Sequence, residues 1–328
     1  MKRMKFKNLA AAAGVAFTFA VAGQTALAQD TVRVGLQQVP PDEVYKTKNW
    51  GEPYKLDVQL SSYSSAGDSL KAFLAGRVDI ANGGAARLVT LALQQPNEFY
   101  IIAANQYGGT RYGLIVAANA PYKTIQELKG KKIGAVTGSG TYNTFLLYLR
   151  RNGLSEGDFS IVNMKVEDLR AAVESGIIDA AVAWEPHVAI AETMGGAKRI
   201  ASMDGINESP NFVLVRRSFA ESHPAAVTKY VATLIDLATL IKTKPKEAGK
   251  LAAEQISKAG VRVAPAAMEL ALQRIKMDPE VKQPLLDELN DMAKSMLDSG
   301  KIKAMPDFAG LVRKEYFEKA SQLASARK

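Results

Sequence analysis

Leu74-Ala75-Gly76-Arg77-Val78-Asp79-Ile80-Ala81 is the stretch on which the architecture of this chain turns. Leu70, Phe73 and Leu74 recur at helical spacing, Gly76 supplies the left-handed residue that ends a helix, and Val78 to Ala81 opens a strand. The junction returns later in the chain. Ala72, Gly76, Asp79 and Ala81 are matched by Ala172, Gly176, Asp179 and Ala181, with the same mutual spacing. The echo supports an α/β protein with two similar halves, but four matches of common residue types are a weak signal, and two βαβ units within one sheet would give the same echo.

Working outward, Val32, Val34 and Leu36 alternate with polar neighbours as a first strand, broken by Gln37 to Pro41 before a short helix near Asp42 to Lys48. Leu56, Val58 and Leu60 repeat the alternation, and Ser61 to Ser65 reads as a polar loop. Gly83-Gly84 opens a helix carrying Leu88, Leu91 and Leu93, and Phe99 to Ala103 is again a strand. This rhythm is that of a parallel sheet, whose ligand-facing loops follow the carboxyl ends of the strands. The pattern restarts at Tyr112 to Ala117. Thr124 caps a short helix, Ile133 to Val136 is a strand, and Thr137-Gly138-Ser139-Gly140-Thr141 leads into a helix with Phe145, Leu146 and Leu149. From Pro224 to Gln322 the chain reads as almost wholly helical, interrupted at Pro245 and Pro265.

Composition narrows the function. The chain has 328 residues, 47% hydrophobic and 23% charged, which excludes a disordered tail or a collagen. With no cysteine there is no disulfide, thiolate nucleophile, cysteine-ligated metal or lipid-carrying cysteine, and with two histidines there is no histidine-rich metal site. Lys2, Arg3, Lys5 and Lys7 precede an apolar run from Leu9 to Ala22 and then Ala26-Leu27-Ala28, the layout of a secretory signal peptide over residues 1–28. The run is short of the roughly 20 residues that span a bilayer, and no second apolar run of spanning length is expected after it. Removing those four cations from a net charge of +9 leaves +5. That modest excess fits anionic ligands, and without a basic run or interleaved aromatics it does not point to nucleic acid. The expectation is an exported, soluble protein held in a Gram-negative periplasm.

Several segments together resemble the periplasmic solute-binding proteins of the nitrate/sulfonate/taurine class of ABC importers. They are Val32-Arg33-Val34-Gly35, the Leu74 to Ala81 junction, Leu128-Lys129-Gly130-Lys131-Lys132-Ile133, the turn at Gly138 to Thr141, Ala183-Trp184-Glu185-Pro186, Val213 to Arg217 and His223-Pro224. The resemblance implies a type II periplasmic binding protein fold: two α/β lobes joined by two crossover strands, near Arg111 to Val116 and Asn211 to Val215, with a helical C-terminal region. Lobe one is then 30–111 plus 214–328, and lobe two 112–213. It further implies a monomer that clamps a small anionic organic solute (a sulfonate, taurine, nitrate or an aromatic carboxylate) and hands it to an inner-membrane permease with its cytoplasmic ATPase, with no cofactor and no catalysis. A same-fold pyrimidine synthase for a thiamin precursor is disfavoured by the absent cysteines and the signal peptide. A module presenting solute to a sensor kinase stays open.

Ser139-Gly140-Thr141 begins a helix, so backbone N–H groups and hydroxyls there can hold an anion, or its hydroxyls cap the helix. At the strand ends of lobe one lie Gln37 and Gln38, then Tyr63, Ser64 and Ser65, then Gly83, Gly84 and Ala85, with Gln38 and Ser65 the favoured contacts. Glu185 either meets a ligand ammonium or favours a helix N-terminus; Trp184 is either a cleft wall or core. Arg111, at the crossing, either pairs with a sulfonate or carboxylate or is solvated surface, the more common fate of an arginine, and Arg87 is a weaker candidate of the same kind. His187 reads as a helix-surface residue.

Overall fold

The computed structural model describes residues 30–258, 260 and 262–327; the expected signal peptide lies outside them. The first half of the chain lays down β1 (Asp30–Gln37), α1 (Pro40–Tyr45), β2 (Leu56–Tyr63), α2 (Ala66–Leu74), β3 (Ile80–Gly84), α3 (Ala85–Gln94) and β4 (Phe99–Ala104). Next come β5 (Tyr112–Ala117), β6 (Lys132–Ala135), α4 (Gly140–Arg151), β7 (Ser160–Asn163), α5 (Val166–Glu174), β8 (Ala180–Trp184), α6 (His187–Thr193) and β9 (Ala197–Ser202). The chain then returns through β10 (Asn211–Arg216) to α7 (Arg217–Ser222), α8 (Pro224–Thr243), α9 (Pro245–Lys258), α10 (Pro265–Gln273), α11 (Gln283–Asp298) and α12 (Glu315–Ser325).

Two five-stranded sheets result, ordered β2-β1-β3-β10-β4 and β7-β6-β8-β5-β9. They follow one plan. In each, three parallel strands are ordered second, first, third, and the strand that has just arrived from the other sheet joins them antiparallel. The repeated Gly-x-x-Asp string explains part of this likeness. Gly76 and Gly176 both take φ of +73°, open to glycine without strain. Asp79 accepts from the Arg33 backbone N–H at 3.1 Å, and Asp179 accepts from the Lys132 backbone N–H at 2.9 Å. Each aspartate thus ties the start of its sheet's third strand to the first parallel strand of that sheet.

Apolar side chains fill both faces of both sheets. Helices α8, α9, α10 and α12 cover one face of sheet one, where Val32, Val34 and Val213 meet Tyr230, Val231 and Met268. Helices α2, α3 and α11 cover the other. In sheet two, α4 and α5 lie on opposite faces. Helix α8 corrects the expectation of no second spanning-length apolar run, since it is long and apolar enough to cross a membrane by length and composition. Its Val227, Tyr230, Val231 and Leu234 are core, and Lys229 and Asp236 pair with Asp30 and Arg327. Ser61 to Tyr63, expected as loop, belongs to β2 and pairs with Gly35 to Gln37; its side chains stay polar because β2 is a sheet edge.

Residues 105–111 and 203–210 connect the sheets and lie side by side. Asn211 N–H donates to the Gln106 carbonyl at 3.0 Å, and Gly108 N–H to the Glu208 carbonyl at 2.8 Å. The crossings therefore precede β5 and β10, which sit inside the sheets they enter. At Gly109 a Cβ would run into the Met203 carbonyl oxygen, a backbone atom with no rotamer to retreat into. Gly109→Ala is expected to cost about 1–3 kcal/mol in urea denaturation, whereas an unshifted midpoint would show that the connectors can part freely.

Candidate ligand-binding site

Three helix N-termini meet between the lobes, because α2, α3 and α4 each follow the carboxyl end of a parallel strand. Ser65 accepts from the Asp68 N–H at 3.3 Å and Ser139 from the Tyr142 N–H at 3.1 Å, so both hydroxyls cap their helices. The first turns of the three helices line a cavity of about 160 Å³ together with Gln37, Arg111, Trp184 and Glu185. Past Gly67, Ala86 and Arg87 the space continues into an open groove of about 720 Å³, walled by Leu70 on one lobe, Leu146 on the other, and Met292 and Met296 of α11.

Arg111 dominates the wall. It is 3% exposed, and among the described residues no carboxylate pairs with it. Its Nη2 donates to the Tyr112 hydroxyl and to the Ser209 carbonyl, each at 2.5 Å, while Nε and Nη1 are buried with no partner. The Gln37 amide Nε2 is buried and unpartnered too. Unmet donors around a buried cation are a costly arrangement unless an acceptor arrives from outside. Ser209 carries a positive φ of 42°, so Arg111 grips the second connector at a backbone position few side chains favour.

Of the residues chosen from sequence, Ser64, Ser65, Gly84, Arg111, Ser139, Gly140, Thr141, Trp184 and Glu185 line the cavity. Gln38, Tyr63 and Ala85 do not. β1 runs on through Gln37, which turns that side chain inward and leaves Gln38 to solvent; Tyr63 and Ala85 pack into the core of sheet one. Glu185 does not wait for a ligand: it accepts from the Ala189 N–H and from Arg274 Nη1, both at 2.9 Å. Burial raises its carboxyl above the usual range, with the Arg274 and Ala189 hydrogen bonds pulling the other way. Trp184 both lines the cavity and packs against lobe two, and His187 is half-buried edge-on against it, its pKa lowered by burial to about 4. Arg87 is exposed at the mouth. Sequence reasoning passed over Gln106, Asn211 and Arg274; the last is remote from every motif and has no local signal.

The paired sheets, the two connectors and the cavity between them are those of the two-lobed periplasmic binding protein fold. The chain belongs to the NMT1-like family, whose model matches residues 34–257. A taurine-binding periplasmic protein of Escherichia coli K12 is 31% identical over 185 residues, 55% of this chain and 56% of the relative. A second protein of that strain, named for binding aliphatic sulfonates, is 30% identical over 141 residues, 43% of this chain and 44% of the relative. The matches span less than two thirds of the length of these curated relatives. The fold is shared with the alkanesulfonate-binding protein SsuA from Xanthomonas axonopodis pv. citri bound to MOPS, at a TM-score of 0.74 and 20% identity, covering 87% of this chain and 98% of that one.

Two outcomes follow from the caps and from Asp42. Ser139→Ala is expected to lower stability by about 1 kcal/mol through loss of the α4 cap, read as a lower melting temperature. Asp42 is buried behind Gln37; burial pushes its carboxyl up to about 7, against the Gln37 N–H and Lys46, which favour the charged form. An unfolded aspartate releases its proton near pH 4, so folding binds a proton between about pH 4 and 7 and stability falls as pH rises through that window. Asp42→Asn should flatten that fall in urea titrations at pH 4.5 and 7.5; an equal slope in both proteins would refute it.

Proposed function

We propose that this chain is the solute-binding component of an ABC importer and captures a small organic anion, a sulfonate or carboxylate, between its lobes. The observation that carries the reading is the buried Arg111, which among the described residues pairs with no carboxylate and has Nε and Nη1 unused. An anionic head that accepts from Nε and Nη1 replaces water lost on burial and adds charge-assisted hydrogen bonds. The first turns of α2, α3 and α4 add the positive ends of three helices. The adjoining groove, with its leucine and methionine walls, has room for the organic remainder. The names of the relatives support a sulfonate first.

Capture of this kind requires two rigid bodies on a hinge, which 105–111 and 203–210 supply between a lobe built on sheet one and a lobe built on sheet two. The protein then acts in the periplasm as a monomer, after cleavage near Ala28, and delivers its cargo unaltered to a membrane permease. Cysteine chemistry is excluded, since the chain has none.

A panel of small sulfonates and carboxylates tests the reading. A ligand at 100 times its Kd should add about 2.7 kcal/mol to stability, visible as a raised melting temperature. Arg111→Gln should weaken the best anion by about 2–5 kcal/mol in calorimetry. Undiminished affinity in that variant would remove Arg111 from the site.

A further inference from the structure

We propose that Arg274 determines specificity: by neutralising Glu185 from across the cleft it reserves the cavity for anions that carry no cationic group. The proposal rests on the anion-binding reading above. Glu185 lines the cavity at the end of β8 and is 2% exposed. Left free, its carboxylate would repel an anionic head and offer a counter-charge to an ammonium held a few ångströms from that head. The structure commits both of its oxygens elsewhere. Oε1 accepts from Arg274 Nη1 at 2.9 Å and Oε2 from the Ala189 N–H at 2.9 Å.

Arg274 is itself firmly held. Its guanidinium also donates to Glu192, at 2.5 Å from Nη1 and 3.3 Å from Nη2. Arg199 approaches Glu192 at 3.9 Å and donates to the Thr110 carbonyl at 3.2 Å. Two carboxylates and two guanidiniums cancel, which leaves Arg111 as a buried charge in the wall with no carboxylate partner among the described residues. A ligand ammonium could reach Glu185 only by displacing a guanidinium that two carboxylates share, and the displaced Arg274 would then stand beside the incoming cation. Discrimination of this type works through repulsion and lost pairing as much as through attraction.

The pair also joins the lobes. Arg274 follows α10, whose Ala267, Met268 and Leu272 pack in the core of lobe one, whereas Glu185 follows β8 and Glu192 lies on α6, both in lobe two. Helix α10 rests on α6, so the neutralising charge comes from the helical C-terminal region and reaches Glu185 only with the two bodies together.

Calorimetry with ethanesulfonate and taurine, and with propionate and β-alanine, compares anions that differ only in an amino group. The wild-type protein is expected to bind the amine-free member of whichever pair it accepts at least tenfold more tightly. Arg274→Gln should move that ratio at least tenfold toward the amine, and adding Glu185→Gln should restore it. Arg274→Met, which keeps the length of the side chain without its charge, should move the ratio in the same direction and serves if Arg274→Gln does not fold by circular dichroism. Equal wild-type affinities within a pair, an unmoved ratio in a folded Arg274 variant, or loss of amine binding in Glu185→Gln would each overturn the role of Arg274 while leaving the anion site standing. Failure of the folded wild-type protein to bind any of the four would instead overturn the anion reading itself.

Discussion

A guanidinium withdrawn from water and, among the described residues, paired with no carboxylate is the constraint around which this molecule is arranged. Burial of an unmatched charge is expensive, and Arg111 is tolerated because its surroundings share the load: the Tyr112 hydroxyl and the Ser209 carbonyl each take a hydrogen bond. Those partners stand on opposite sides of the crossing, one on the strand that enters sheet two and the other on the connector that leaves it. The residue that would meet a ligand is therefore also a tie between the two connectors. Occupation of its remaining donors bears directly on the geometry of the hinge.

The lobes are variations on one design, and the design has a physical origin. A helix that ends at a left-handed glycine, followed by an aspartate that reaches back to a neighbouring strand's N–H, sets the offset between first and third strands in both sheets. Identical offsets place the carboxyl ends of the parallel strands at comparable heights, and the helices that follow begin there. Convergence of α2, α3 and α4 on one small volume is thus a product of sheet construction, with the ligand surface drawn from loops that a rigid frame positions.

Much of this was legible in the residues. The Leu74 to Ala81 string and its echo at Ala172 to Ala181 disclosed the two halves because their spacing reflects a local requirement, one turn and one hydrogen bond. Ser139 to Thr141 was legible as a helix start for the same reason. The misreadings have equally local causes. Gln38 was preferred to Gln37 because the end of a strand cannot be located to one residue from alternation alone, and one residue reverses which side chain faces inward. Ser61 to Tyr63 looked like loop because polarity was read as irregularity, when an edge strand needs only backbone pairing. Arg274 could not have been found at all. Its partnership with Glu185 spans 89 residues and exists only through the packing of α10 on α6.

The position of β10 has a consequence for how the molecule is made. Every strand of sheet two lies within residues 112–202, so that lobe can complete its hydrogen bonding from one uninterrupted run of chain. Sheet one cannot: β3 and β4 flank a vacancy until residues 211–216 have been synthesised and have come back to fill it. The later lobe is thereby nested inside the earlier one, and assembly has an order. The inserted lobe can mature first, while the enclosing one waits on long-range pairing, the slower kind. A chain cut short before Asn211 would leave the first lobe without its antiparallel strand, with inner edges of β3 and β4 bare where the finished molecule has none.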